Sequence, residues 1–203
     1  MKKIATLIFL AFQRCRKLCI SVLLVYIISC TIGSMMVHLD NKFALAVRDK
    51  IIGNAVTSDK AVINYNSGNN FKASIIDFSE NLFLGSTVQT AFGLGIVIPY
   101  FTTFLQGWIG GIVTVDGNHK SRFSKWRSAF YFLIVFMLQI SAYSLCIGAG
   151  IRLGIETYKQ NKNTPIAKYK LHKQSLKDIA LMYILATPIF LVASFFEFYS
   201  SWN

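Results

Sequence analysis

LFLGSTVQTAFGLGIVIPYFTTFLQGWIGGIVTV, residues 82–115, is a run of 34 residues without a charge, set between Glu80–Asn81 and Asp116. As one helix it would be about 51 Å long at ~1.5 Å per residue. The hydrocarbon core of a bilayer is only about 30 Å thick. A single helix would have to tilt by roughly 54°, beyond the usual limit of about 40°. Pro99 lies near the middle of the run, lacks a backbone donor and clashes with the preceding turn. The run therefore predicts two segments, Leu82–Ile98 and Tyr100–Val115, broken at Pro99, as two spans or as a span and a re-entrant segment.

The rest of the chain agrees with a membrane reading. Hydrophobic residues make up 54% and charged residues 15% of the 203. They are segregated into uncharged blocks and charged connectors, where a soluble domain would interleave them at helix or strand period. Leu18–Val37, Ala129–Ile151 and Ile179–Phe196 are the further blocks, each long enough to cross a bilayer or nearly so. The expected fold is an all-α polytopic transmembrane bundle of about five spans, one membrane domain over residues 1–203. A soluble enzyme is excluded by this composition.

Residues 1–17 carry Lys2, Lys3, Arg14, Arg16 and Lys17, with Ile4, Leu7, Ile8, Ala11 and Phe12 on one helical face. This N-terminal amphipathic segment reads either as an interfacial helix or as the start of a long first helix. Arg14-Cys15-Arg16 stands where a signal peptide would need small residues, so cleavage is not expected. Residues 38–80 form the longest connector, with five basic and five acidic residues. Its Asn64–Asn70 stretch is rich in turn formers, and its flanks read as helices.

Lys/Arg placement sets orientation. With five spans and the N-terminus inside, twelve Lys/Arg fall inside and nine outside. With four spans the balance reverses. The five-span arrangement puts 38–80 and 116–128 outside and 152–178 inside, in an integral, multi-pass protein of the plasma (inner) membrane with a cytoplasmic N-terminus. The net charge of +12 is attributed to attraction for anionic lipid headgroups beside the spans, not to nucleic acid.

No catalytic constellation emerges. His38, His119 and His172 lie in separate connectors, none with a second ligand at metal spacing. Cys15, Cys19, Cys30 and Cys146 form no C-x-x-C and read as buried packing thiols. Gly93-Leu-Gly95 and Gly148-Ala-Gly150 lie within apolar blocks, which argues against a nucleotide loop. No cofactor, metal or catalytic residue is expected.

Two patterns remain. Ala142, Cys146, Gly150 and Gly154 recur every four residues, and Gly107 and Gly111 form a GxxxG pair. Such small faces let helix backbones approach closely in lipid. Gln89, Gln106 and Gln139 are amides inside uncharged blocks. They are expected to hydrogen-bond between helices, with Gln106 facing the 129–151 helix near Gln139.

Residues 79–154 resemble the stage II sporulation protein M family of integral membrane proteins. The resemblance rests on Ser79-Glu-Asn-Leu-Phe-Leu-Gly85, Gln106-Gly-Trp-Ile-Gly-Gly111 and Gln139-Ile-Ser-Ala-Tyr-Ser-Leu-Cys-Ile-Gly-Ala-Gly-Ile-Arg-Leu-Gly154. Asn81, Gly107, Gly111, Ala142, Gly148, Gly150 and Gly154 fit the family pattern. The family's Asn before Gly is Gln106 here, and its His-Gly-x-x-Glu falls at Val135, Phe136 and Gln139. Any role that needs those ionisable groups is therefore absent from the expectation. The resemblance implies a small bundle without enzymatic activity, a subunit or scaffold that holds one or more membrane or extracytoplasmic protein partners at the membrane. The alternative is a permease or channel subunit that uses the polar residues around the three glutamines.

Overall fold

The computed structural model describes residues 2–164 and 168–199, and among them the secondary structure is helical without a strand. Helix α1 spans Lys2–His38. A helical connector follows as α2 (Lys42–Ser58), α3 (Lys60–Asn66) and α4 (Asn70–Ser79). A π-helical stretch, Glu80–Ser86, leads into α5 (Thr87–Phe92) and a 3-10 turn, Gly93–Gly95. Then come α6 (Ile98–Ile112), α7 (Trp126–Gln160) and α8 (Lys173–Tyr199). Among the described residues α1, α7 and α8 are long and apolar enough to cross a membrane.

The amphipathic N-terminal segment and the first uncharged block are one continuous helix of 37 residues. Its buried stripe runs Ala11, Cys15, Cys19, Val22, Tyr26, Cys30, Gly33 and Val37. The three- and four-residue steps keep one face against the bundle.

Local chemistry punctuates the connector. The Asn41 side chain accepts from the Ala44 N–H, Asp59 from Ala61 and Val62, and Asn69 from Lys72. Each satisfies donors that a helix N-terminus otherwise leaves open. Gly68, at φ 81°, makes the left-handed turn between α3 and α4.

The 82–115 run is broken, but not at Pro99. The interruption lies at residues 93–97, and Pro99 sits in the first turn of α6, where its missing N–H is not needed. Two causes set the break. Gly93 lies against Gly150, where any Cβ would run into the Gly150–Ile151 backbone. Ile96 takes φ 54°, a conformation no helix continues and a β-branched residue rarely adopts. The proline starts the second helix and does not end the first.

Contacts fix the directions of packing. Cys19 meets Gly148 and Tyr26 meets Tyr143, so α1 and α7 are antiparallel. Tyr143 stacks edge-on against Phe190, and Tyr131 lies beside Phe196, so α7 and α8 are antiparallel. Ser21 bonds Tyr100 and Ser34 bonds Thr114, so α6 runs parallel to α1. The bundle thus has two ends. Residues 2–17, 152–164 and 168–178 share one end with the 93–97 tip, whose Ile96 packs against the cluster of Val22, Tyr26, Ile140, Ile147 and Ile151. The connector α2–α4, the end of α6 and the end of α8 share the other, where Ala61, Ala73 and Phe198 form a small core. The first end holds twelve Lys/Arg against Glu156 and Asp178, and the capped end nine against seven acids.

Candidate functional site

Small residues set the spacing of the helices before any polar group meets another. A Cβ on Gly107 would strike Ser29 Oγ and the Tyr26 carbonyl, and one on Gly111 would strike the Cys30 carbonyl. The GxxxG pair of α6 therefore seats on α1. Gly150 and Gly154 of α7 lie against the backbones of Thr90 and Gly93, while Gly148 lies against Cys19. Ala142 and Cys146 are fully buried in the core shared by α1, α7 and α8.

That close approach brings polar side chains together in the bundle interior. Gln89 Nε2 donates to Gln106 Oε1 at 2.5 Å, and the Tyr26 hydroxyl donates to the same oxygen. Gln89 is 3% exposed, and its own Oε1 has no hydrogen-bond partner. The Thr103 hydroxyl is likewise buried and unpartnered. Gln139 lies elsewhere: its amide donates to Glu197 Oε2 at 2.8 Å. The expected Gln106–Gln139 pair is not formed. Gln106 projects from α6 toward α1 and α5, and Gln139 projects from α7 toward the end of α8.

Asn81, the residue that opens the family-like region, lies in the π-helical stretch. Its Oδ1 accepts from the Tyr143 hydroxyl at 2.6 Å. Gly85, in the same stretch, faces that hydroxyl with no room for a Cβ. The π-helical turn thus presents both Asn81 and Gly85 to one tyrosine, and π-turns inside helices recur at functional sites. One turn on, Tyr183 Oη lies 3.0 Å from Thr90 Oγ1 and 3.4 Å from Thr87 Oγ1.

Two groups of ionisable residues escaped the sequence reading. At the capped end, Ser194 donates to Asp77 Oδ2 at 2.6 Å, close to the Gln139–Glu197 pair. Burial pushes the Asp77 carboxyl up to about 6, while bonds from Ser194 and Asn81 pull the other way. At the basic end, Arg14 grips Asp178 with two nitrogens, at 3.0 and 2.5 Å. Asp178 is fully buried, and Arg152 Nε lies 3.7 Å from it. The signal was present only as isolated charges at the edges of uncharged blocks. What joins them is the register between helices more than a hundred residues apart.

The histidines stay apart. His38 Nε2 lies 2.8 Å from Ser121 Oγ, His119 Nε2 lies 3.0 Å from Asp49 Oδ2, and His172 pairs with Ser175. Bonds from Arg48 and then His119 hold the exposed Asp49 carboxyl below its ordinary range. Arg48 also reaches the Val115 carbonyl at 3.1 Å, tying α2 to the strap that follows α6. Among the described residues no three of His, Cys, Asp and Glu gather to hold a metal ion.

The sequence profile of the stage II sporulation protein M family matches residues 22–201. No curated protein and no solved structure matches the chain.

Proposed function

The chain belongs to the stage II sporulation protein M family, and on that premise we propose that it is a non-enzymatic membrane subunit that holds partner proteins at the membrane. The observation that carries this reading is the cap. Helices α2–α4 lie outside the uncharged blocks, yet they are fastened to the bundle. Asp77 binds Ser194 of α8, Arg48 binds the Val115 carbonyl, and Phe71 packs edge-on to Phe195. A connector pinned at three places is a fixed platform for a protein partner, where a passive loop between spans needs no such fastening.

We read α1, the stretch from Leu82 through α5, α6, α7 and α8 as five crossings of the plasma membrane. The N-terminus is then cytoplasmic and the cap extracytoplasmic. The tip at 93–97 reaches the level of Gly150 and Gly154, which supports counting the α5–α6 hairpin as two crossings.

A permease or channel subunit is the second reading. The observation that favours it is the Gln89 amide oxygen, buried without a hydrogen-bond partner beside Gln106 and Tyr26. Affinity purification of the full chain in mild detergent separates the two. A stoichiometric protein partner that is lost when the cap is altered supports the scaffold. A lone oligomer that passes solute in liposomes overturns it in favour of transport.

A further inference from the structure

Arg14, Arg152 and Asp178 stand at a single level of the bundle. The uncharged block of α7 ends at Arg152, that of α8 begins after Asp178, and that of α1 begins four residues after Arg14. The three therefore mark the boundary between hydrocarbon and headgroups at the basic end.

The charges there do not balance. Asp178 is fully buried, and its oxygens are already engaged. Oδ2 accepts from Arg14 Nε at 3.0 Å, and Oδ1 accepts from Arg14 Nη2 at 2.5 Å and from Gln174 Nε2 at 3.0 Å. That bidentate grip satisfies the carboxylate with one guanidinium. Arg152 is left at 3.7 Å, outside hydrogen-bond range, with a side chain only 15% exposed. Its Nε is buried and has no hydrogen-bond partner. Glu156, one turn along α7, is committed to Lys159 at 3.0 Å. Arg16, Lys17 and Lys177 add exposed positive charge near the triad and have no acidic partner among the described residues. A largely buried guanidinium that must share one carboxylate with a second arginine, at 3.7 Å and with no hydrogen bond from its Nε, is costly.

We infer that Arg152, backed by Arg14, receives the phosphoryl group of an anionic phospholipid at this boundary. The chemistry fits on three grounds. The surplus charge is a guanidinium, whose planar fork matches phosphoryl oxygens. It lies at the depth of lipid phosphates, not in a solvent cleft. The surrounding end carries twelve Lys/Arg against two acids, and basic pockets between spans at such an end suit acidic headgroups. The inference does not depend on whether the protein is a scaffold or a permease.

Native mass spectrometry of the full chain, with phosphatidylglycerol and phosphatidylcholine added in turn, is the test. The wild-type protein is expected to retain one phosphatidylglycerol under activation that strips phosphatidylcholine. Arg152→Gln is expected to weaken that retention about tenfold, the loss of one charge-assisted contact. Arg152→Lys restores part of it, and Lys17→Gln changes it less than about twofold. A photoactivatable phosphatidylglycerol on the wild-type protein gives a second readout that needs no variant. Its label is expected on peptides that contain Arg14 or Arg152. Equal retention of the two lipids by the wild type, or label spread over the lipid-facing surface, overturns the proposal even if Arg152→Gln does not fold. Inorganic phosphate that displaces the lipid and itself raises thermal stability overturns the lipid assignment in favour of a free phosphoryl ligand.

Discussion

Two glycines in helices show how context decides what one methyl group does. Gly53, in α2, has nothing within 4 Å of a built Cβ, whereas a Cβ on Gly150 would strike the Thr90 backbone. Gly53→Ala is expected to raise thermal stability in detergent, by up to about 1 kcal/mol, because alanine favours the helix. Gly150→Ala is expected to lower it, by about 1–3 kcal/mol, because the obstacle is main chain that no rotamer change relieves. Equal shifts of one sign would remove the tight α5–α7 seam. Asp77 gives a residue-scale prediction of another kind. Its folded value, near 6, stands above the value of about 3.9 for an unfolded aspartate. The native state therefore holds the proton more tightly. Its contribution is most favourable below pH ~4 and falls as pH rises from ~4 to ~6, by at most about 1.4 kcal/mol per unit. Thermal melts of wild type and Asp77→Asn over pH 4–7 are expected to converge at the acid end and separate at neutral pH, with the variant the flatter. The sequence exposed the small-residue pattern because four-residue spacing is local. It hid Asp77 and its partner Ser194 because their meeting depends on where α8 ends.

At the scale of elements, the hairpin of α5 and α6 separates what a proline does from what a glycine does. The uncharged run was legible as two helices, since its length exceeded any reasonable tilt. The site of the break was not, because it is set by contact. Gly93 must lie on Gly150, and Ile96 must turn at φ 54°. Neither requirement is visible without α7 in place. Pro99 only begins α6, so Pro99→Ala is expected to keep the hairpin, at a change of less than about 1 kcal/mol. In a background without the native cysteines, Gln89→Cys is expected to crosslink to Gln106→Cys with a short reagent, with or without the proline. Gln106→Cys with Gln139→Cys is expected to give no product, since Gln139 serves Glu197. Loss of the first crosslink in the proline variant would return the break to Pro99. The glutamines were legible as buried polar residues, but their partners were not. A helix rotation of one residue, about 100°, is enough to exchange α7 for α1 as the neighbour of Gln106.

For the whole molecule, the two ends differ more in net charge than in their basic residues. Lys/Arg number twelve and nine, while the acids divide two and seven. Orientation follows the Lys/Arg count near the spans more than the net charge, so the margin for a cytoplasmic N-terminus is three residues. Packing strengthens the case without adding a charge. The first and third long helices, α1 and α8, run parallel, with Arg14 beside Asp178, so the described residues of 1–17 and 152–178 lie at one end of the bundle. Lys50 and Lys170 are exposed at opposite ends. With the native cysteines removed, Lys50→Cys is expected to react with an impermeant maleimide in intact cells. Lys170→Cys is expected to react only after the membrane is opened. The reverse pattern would invert the protein and place the cap in the cytoplasm. Reaction of both in intact cells would contradict the shared side itself, and with it the antiparallel packing of α7 between α1 and α8. That makes the double experiment a test of the fold as well as of its orientation.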